Sequence, residues 1–159
     1  DLVIMSLHRH GLRAGHSSLH IACLRGYADV SKLLLTNGTD VRYAGKNGNP
    51  PLRTMAELNL VEMVTLLLAN GADARLAGKD GKSPLRMMCE LNLVEMASLL
   101  LANGADVTEA WEDGTGTHSP LLLACRKGFM ELIQLLLENG ADVSRTEGGG
   151  KSLLLKACR

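Results

Sequence analysis

Apolar residues return along this chain at spacings of three and four and are interrupted at regular places by Gly or Asn. That pattern predicts short amphipathic helices arranged in pairs. In the second member of each pair, Val30, Leu33 and Leu34 recur as Met63, Leu66 and Leu67, then as Met96, Leu99 and Leu100, then as Leu132, Leu135 and Leu136. Each triplet draws one apolar stripe down a helix. The first member is opened by Ser17-Ser18-Leu19-His20, Pro50-Pro51-Leu52-Arg53, Ser83-Pro84-Leu85-Arg86 or Ser119-Pro120-Leu121-Leu122, and Ser152-Leu153-Leu154-Leu155 opens a fifth. A Ser there can cap the helix through its side-chain oxygen, and Pro suits the first turn, where a missing backbone donor costs nothing. Between the two members stands Gly26, Asn59, Asn92 or Gly128, the residue types that tolerate left-handed backbone at a helix end.

These openings start 33, 33, 36 and 33 residues apart. A second landmark keeps the same register: Asn37-Gly38-Thr39-Asp40, Asn70-Gly71-Ala72-Asp73, Asn103-Gly104-Ala105-Asp106 and Asn139-Gly140-Ala141-Asp142. Asn47-Gly48 and Asp80-Gly81 then mark tight turns before the next opening. Self-similarity at such a period signals a repeat architecture in which each unit buries its apolar stripe against a neighbour. Residues 45–77 and 78–110 share Glu-Leu-Asn-Leu-Val-Glu-Met and Leu-Leu-Leu-Ala-Asn-Gly-Ala-Asp and are near duplicates.

On these two landmarks the chain resembles the ankyrin repeat family, whose unit opens on Thr-Pro-Leu-His and leaves its second helix through Gly-Ala-Asp. The resemblance implies an all-α solenoid of stacked helix-turn-helix units with β-hairpin finger loops, forming a single domain over 1–159. Its divisions would be a partial unit at 1–11, full repeats at 12–44, 45–77, 78–110 and 111–146, and a truncated repeat at 147–159. It also implies a concave groove lined by fingers and first helices that binds another protein. Carried onto this sequence, the finger tips supply Lys46, Asn47, Lys79, Asp80, Glu112 and Asp113, and the first helices supply Leu24, Arg25, Glu57, Leu58, Glu90, Leu91, Arg126 and Lys127. His20 occupies the family's opening histidine, which ties neighbouring repeats by hydrogen bonds. The family's finger aspartate is replaced by Gly45 and Gly78, and its later asparagine by Arg42, Arg75, Thr108 and Ser144.

Charge narrows the partner. Lys plus Arg and Asp plus Glu number 17 each, so no net field steers the chain toward nucleic acid or an anionic membrane. Aromatic content of 3% suits thin aliphatic layers between helices rather than one deep core. No run approaches the roughly 20 apolar residues of a membrane span, so the chain is expected to be soluble and intracellular, in the cytoplasm or the nucleus. Of the four cysteines, Cys23, Cys89 and Cys125 fall at one equivalent repeat position and Cys158 near the end, with no Cys-x-x-Cys spacing. They are expected as small core residues in a reducing compartment. Leu2 to Gly11 resembles a second helix without its first, and Ser152 to Arg159 a first helix without its second. A monomer, or a piece of a longer array, is expected.

Candidate chemistry is sparse. Gly148-Gly149-Gly150-Lys151-Ser152 lacks the phosphate-loop glycine, because Arg145 stands in its place. His8, His10, His16, His20 and Cys23 show no recognised metal-ligand spacing. No nucleophile, base and orienting group assemble, so neither enzyme activity, cofactor nor metal is expected. Two features suit recognition instead. Arg53 and Arg86 are equivalent residues in the near-duplicate repeats, so they either form a basic ladder for an acidic extended peptide or pair with Glu57 and Glu90 four residues on. Trp111, the sole tryptophan, sits beside the 36-residue interval, either as a hot-spot anchor or packed on a neighbouring finger. A scaffold or adaptor that binds a partner peptide or domain follows. The alternative is a structural or regulatory segment of a larger ankyrin array, a channel or a ubiquitin-ligase adaptor that packs within its own chain.

Overall fold

The computed structural model describes residues 16–45, 48–113 and 116–143. The partial unit 1–11, His8, His10, Lys46, Asn47, Ser144, the run Gly148 to Ser152, the truncated repeat 147–159 and Cys158 lie outside the described residues. Two compact units, Asp1–Pro84 and Leu85–Arg159, divide the chain inside the repeat 78–110.

In the first unit, helix α1 (Ser18–Leu24) packs on α2 (Ala28–Thr36), and α3 (Pro51–Glu57) packs on α4 (Val61–Ala69). α1 also packs on α3, and α2 on α4, so one pair stacks on the next. In the second unit α5 (Pro84–Leu91) and α6 (Val94–Ala102) precede strands β1 (Trp111–Asp113) and β2 (Gly116–His118), which lead into α7 (Pro120–Lys127) and α8 (Met130–Glu138). There α7 packs on α8, and α6 on α8.

Local chemistry accounts for the ends of these elements. The side chain of Ser17 accepts from His20 N and that of Ser119 from Leu122 N, while α3 and α7 carry Pro in their first turn. Gly26, Asn59, Asn92 and Gly128 all have positive φ, between 55° and 71°, as their residue types lead one to expect.

The second-helix stripe buries Met63 and Leu67, Met96 and Leu100, and Leu132 and Leu136. The first copy departs from the expectation. Val30 is 46% and Leu33 63% exposed, and α2 buries only Ser31. Burial of a stripe depends on what packs against it, and the described helices packed on α2 are α1 and α4. A second departure concerns the fingers. Among the described residues only the lengthened one forms paired strands, with Trp111 opposite His118 and Glu112 opposite Thr117. The finger at residues 78–82 instead closes a turn in which Gly78 N donates to Lys82 O at 3.1 Å.

Candidate partner-binding site

The last residue of each four-residue opening, His20, Arg53, Arg86 or Leu122, lies in the first turn of its first helix. At three of these positions the side chain reaches into the finger that follows. His20 Nε2 lies 2.9 Å from Asn49 O, which can only accept, so Nε2 carries the proton. Nδ1 of the neutral ring then accepts from the Ser17 hydroxyl at 2.9 Å. His20 is buried, and that burial, helped by nearby His16 and opposed by the bond to Asn49, lowers its pKa. The family's tie between repeats is therefore present here. Asn49 carries it further, because its Oδ1 accepts from Lys79 N at 2.9 Å in the next finger.

Arg53 behaves differently from the expectation. It is 4% exposed, and its guanidinium Nη2 donates to Asp80 Oδ2 at 2.7 Å. Its ion pair is thus made with the following finger and not with Glu57 on its own helix. Gly78 makes room: a Cβ there would lie 2.6 Å from Arg53 Cδ, Nε and Nη1. The pair uses one edge atom only, since Asp80 Oδ1 accepts from Lys82 N at 3.1 Å, and Arg53 Nε is buried without a hydrogen-bond partner among the described residues. Burial removes Arg53 from any exposed basic ladder.

Arg86 meets the opposite situation, because the residue equivalent to Gly78 is Trp111. Its Nε donates to Glu90 Oε1 at 3.2 Å, the pairing foreseen along the helix. Its guanidinium carbon lies 4.3 Å from the Trp111 ring centroid. Trp111 stacks in turn on His118 at 6.0 Å, and Arg126 Nη1 lies 2.9 Å from His118 Nδ1. An arginine can only donate, so His118 Nδ1 is the acceptor. Lys127 Nζ donates to Glu90 O at 2.8 Å across the repeat boundary. Trp111 remains half-buried, packed and presented at once.

Among the other expected contact residues, Arg25, Lys79, Asp80, Leu91, Glu112, Arg126 and Lys127 are exposed, and Glu57, Leu58 and Glu90 are half-buried. Leu24 is buried and belongs to the core. Asp113 lies on β1. Cys23 and Cys89 are buried and Cys125 half-buried, all three as free thiols. Burial raises the pKa of each, that of Cys89 to about 12, with Glu109 and Glu90 adding to it. Such thiols are poor nucleophiles.

Two contributors escaped the sequence. His118 carried no spacing signal, while Gly78 did: it departs from the family's finger aspartate 25 residues after Arg53, just as Trp111 stands 25 after Arg86.

A family model for ankyrin repeats in three copies matches residues 3–76, 19–111 and 52–147. The chain belongs to the ankyrin repeat family. Ankyrin repeats are in general protein-protein interaction modules and typically non-catalytic. A comparison with curated proteins finds no match. Among the described residues no helix is long and apolar enough to cross a membrane.

Proposed function

We propose that this ankyrin chain is a scaffold or adaptor module of the cell interior, and that its second unit contacts a partner protein through Trp111, Glu112, Leu91, Arg126 and Lys127. The half-exposed Trp111 carries this reading. It is held between a guanidinium and an imidazole, so it presents aromatic surface with little side-chain entropy left to lose on binding. The exposed Leu91, Arg126 and Lys127 give the polar and apolar mixture expected around such an anchor. Among the described residues, three free thiols, two of them buried, suit a reducing compartment.

The exposure of Val30 and Leu33 favours a second reading, in which that face is covered by further chain of a larger array. The two readings concern different faces and separate experimentally. Capture of partners from lysate by the wild type and by Trp111→Ala, compared by quantitative mass spectrometry, should show a partner set that the variant loses at unchanged helicity. An identical set from both proteins would overturn the anchor and leave packing within its own chain.

A further inference from the structure

Every described second helix leaves through the same dipeptide. Asn37-Gly38, Asn70-Gly71, Asn103-Gly104 and Asn139-Gly140 stand directly after α2, α4, α6 and α8, and all four asparagines are exposed. Asn-Gly is the pair most open to deamidation, because glycine has no Cβ to hinder attack of its backbone nitrogen on the asparagine side chain. In that reaction the glycine nitrogen gives up its proton and bonds to Cγ, the Cγ–Nδ2 bond breaks, and Nδ2 departs with that proton as ammonia. Water then opens the resulting succinimide ring at either carbonyl and leaves aspartate or isoaspartate.

The native exits oppose each part of this reaction. The departing nitrogen is engaged: Asn37 Nδ2 donates to Leu33 O at 2.7 Å, and Nδ2 of Asn70, Asn103 and Asn139 to the carbonyls of Leu66, Leu99 and Leu135 at 2.8 Å. The attacking nitrogen is engaged as well, since the amides of Gly38, Gly71, Gly104 and Gly140 donate to the carbonyls of Leu35, Leu68, Leu101 and Leu137 at 3.0 to 3.1 Å. The ψ angles of the four asparagines lie between 12° and 22°. A torsion so near zero turns the glycine nitrogen away from Cβ, whereas closing a five-membered ring requires it on the Cβ side.

Reaction therefore requires the helix end to open, and the four ends are not equally secured. α4 buries Met63, Val64 and Leu67, α6 buries Met96, Ala97 and Leu100, and α8 buries Leu132 and Leu136. α2 buries only Ser31, and Leu33, whose carbonyl holds Asn37, is 63% exposed. Local opening comes most easily where few buried apolar groups resist it.

We propose that the four exits are deamidation sites closed by the native fold, that Asn37 reacts first, and that its product keeps the end of α2 from closing again. An aspartate at this position offers no donor to Leu33 O and brings a carboxylate to the negative end of a helix. An isoaspartate lengthens the main chain by one carbon inside the turn that Thr39 N closes on Leu34 O. Opening of α2 is thereby recorded irreversibly, with water as the only co-reactant. The inference stands apart from the partner surface at Trp111.

The test incubates the full chain in warm, mildly alkaline buffer with and without urea and follows each site by peptide mapping with mass spectrometry. The rate in urea is the reference for that site. Asn70 and Asn103 should react roughly tenfold or more slowly in the folded chain than in urea, and Asn37 should stay several-fold closer to its reference. Equal rates with and without urea at Asn70 and Asn103 would show that the exits give no protection. Protection of Asn37 equal to that of Asn70 would remove it as the first site, and either result overturns the proposal. The variant Asn37→Asp should unfold at lower denaturant than the wild type, and an unchanged midpoint would refute the claim that the product hinders closure.

Discussion

Arg53 and Arg86 occupy the same position in two repeats that are near duplicates, yet one is buried at 4% exposure and the other is half-buried at 18%. The first disappears into the finger after it, against Asp80, in the space left by Gly78. The second lies along its own helix, paired with Glu90, with its guanidinium on the face of Trp111. The first helices that carry them differ only at Thr54 and Ala56 against Met87 and Cys89, and the contact that distinguishes each arginine is with the following finger. A glycine admits the side chain, and an indole turns it aside and gives it a π surface instead. In this array, a residue's environment is set one repeat beyond itself.

Charge reversal breaks the comparison most strongly. Arg53→Glu would place a carboxylate in a buried site opposite Asp80 and cost about 3 kcal/mol, toward the low end for a broken buried pair because Asp80 is itself half exposed. Arg86→Glu, at a half-buried site facing Glu90, should cost less, about 1 to 2 kcal/mol. Denaturant midpoints of the two variants measure this directly. Equal losses would mean that the buried and half-buried environments do not differ energetically.

Gly78 sharpens the comparison at a smaller scale. Its backbone is not left-handed, so alanine meets no strain in φ, but the new Cβ would lie 2.6 Å from three atoms of Arg53. Gly78→Ala should cost about 1 to 3 kcal/mol by displacing that side chain. In an Arg53→Ala background the same change should be nearly neutral, because the clash has no second partner. Additive losses in the double variant would detach Gly78 from Arg53.

Most of the fold was legible because it is repetitive. The capping residues Ser17 and Ser119, the Gly or Asn turns and the stripe through Met63, Met96 and Leu132 are local signals, and each formed as its chemistry requires. The exposure of Val30 and Leu33 was not legible, since a stripe records what a helix can bury and not whether something lies against it. The candidate site was less readable for a related reason. The pairing of Arg86 with Glu90 lies within one helix and follows from spacing. The pairing of Arg53 with Asp80 spans 27 residues, and its only sign was a glycine where the family carries aspartate. His118 between Trp111 and Arg126 depends on the register of a hairpin beside the three-residue lengthening, which the repeat pattern does not set.

His20 completes the series, and here the expected effect is the smallest. It fills the position of Arg53 and Arg86 with a side chain that titrates, whereas an arginine stays charged throughout. Nε2–H donates to Asn49 O and Nδ1 accepts from Ser17, so the ring is bound in its neutral form. Burial lowers its pKa from the ordinary value of 6.5. Below that value the unfolded chain takes up a proton that the folded chain resists, so acidification favours unfolding. The stabilisation is complete above pH 6.5 and is lost as pH falls toward the depressed folded value. Carboxylates titrate mainly below about pH 5, which leaves a window between the two in which His20 can be observed. The variant His20→Gln keeps a donor for Asn49 but cannot titrate. Its denaturant midpoint should fall below that of the wild type at neutral pH, and the gap should narrow on acidification through the window. Parallel midpoints across that range would show that the ring nitrogen facing Ser17 takes its proton without cost to the fold, and the neutral tie between His20 and the next finger would have to be abandoned.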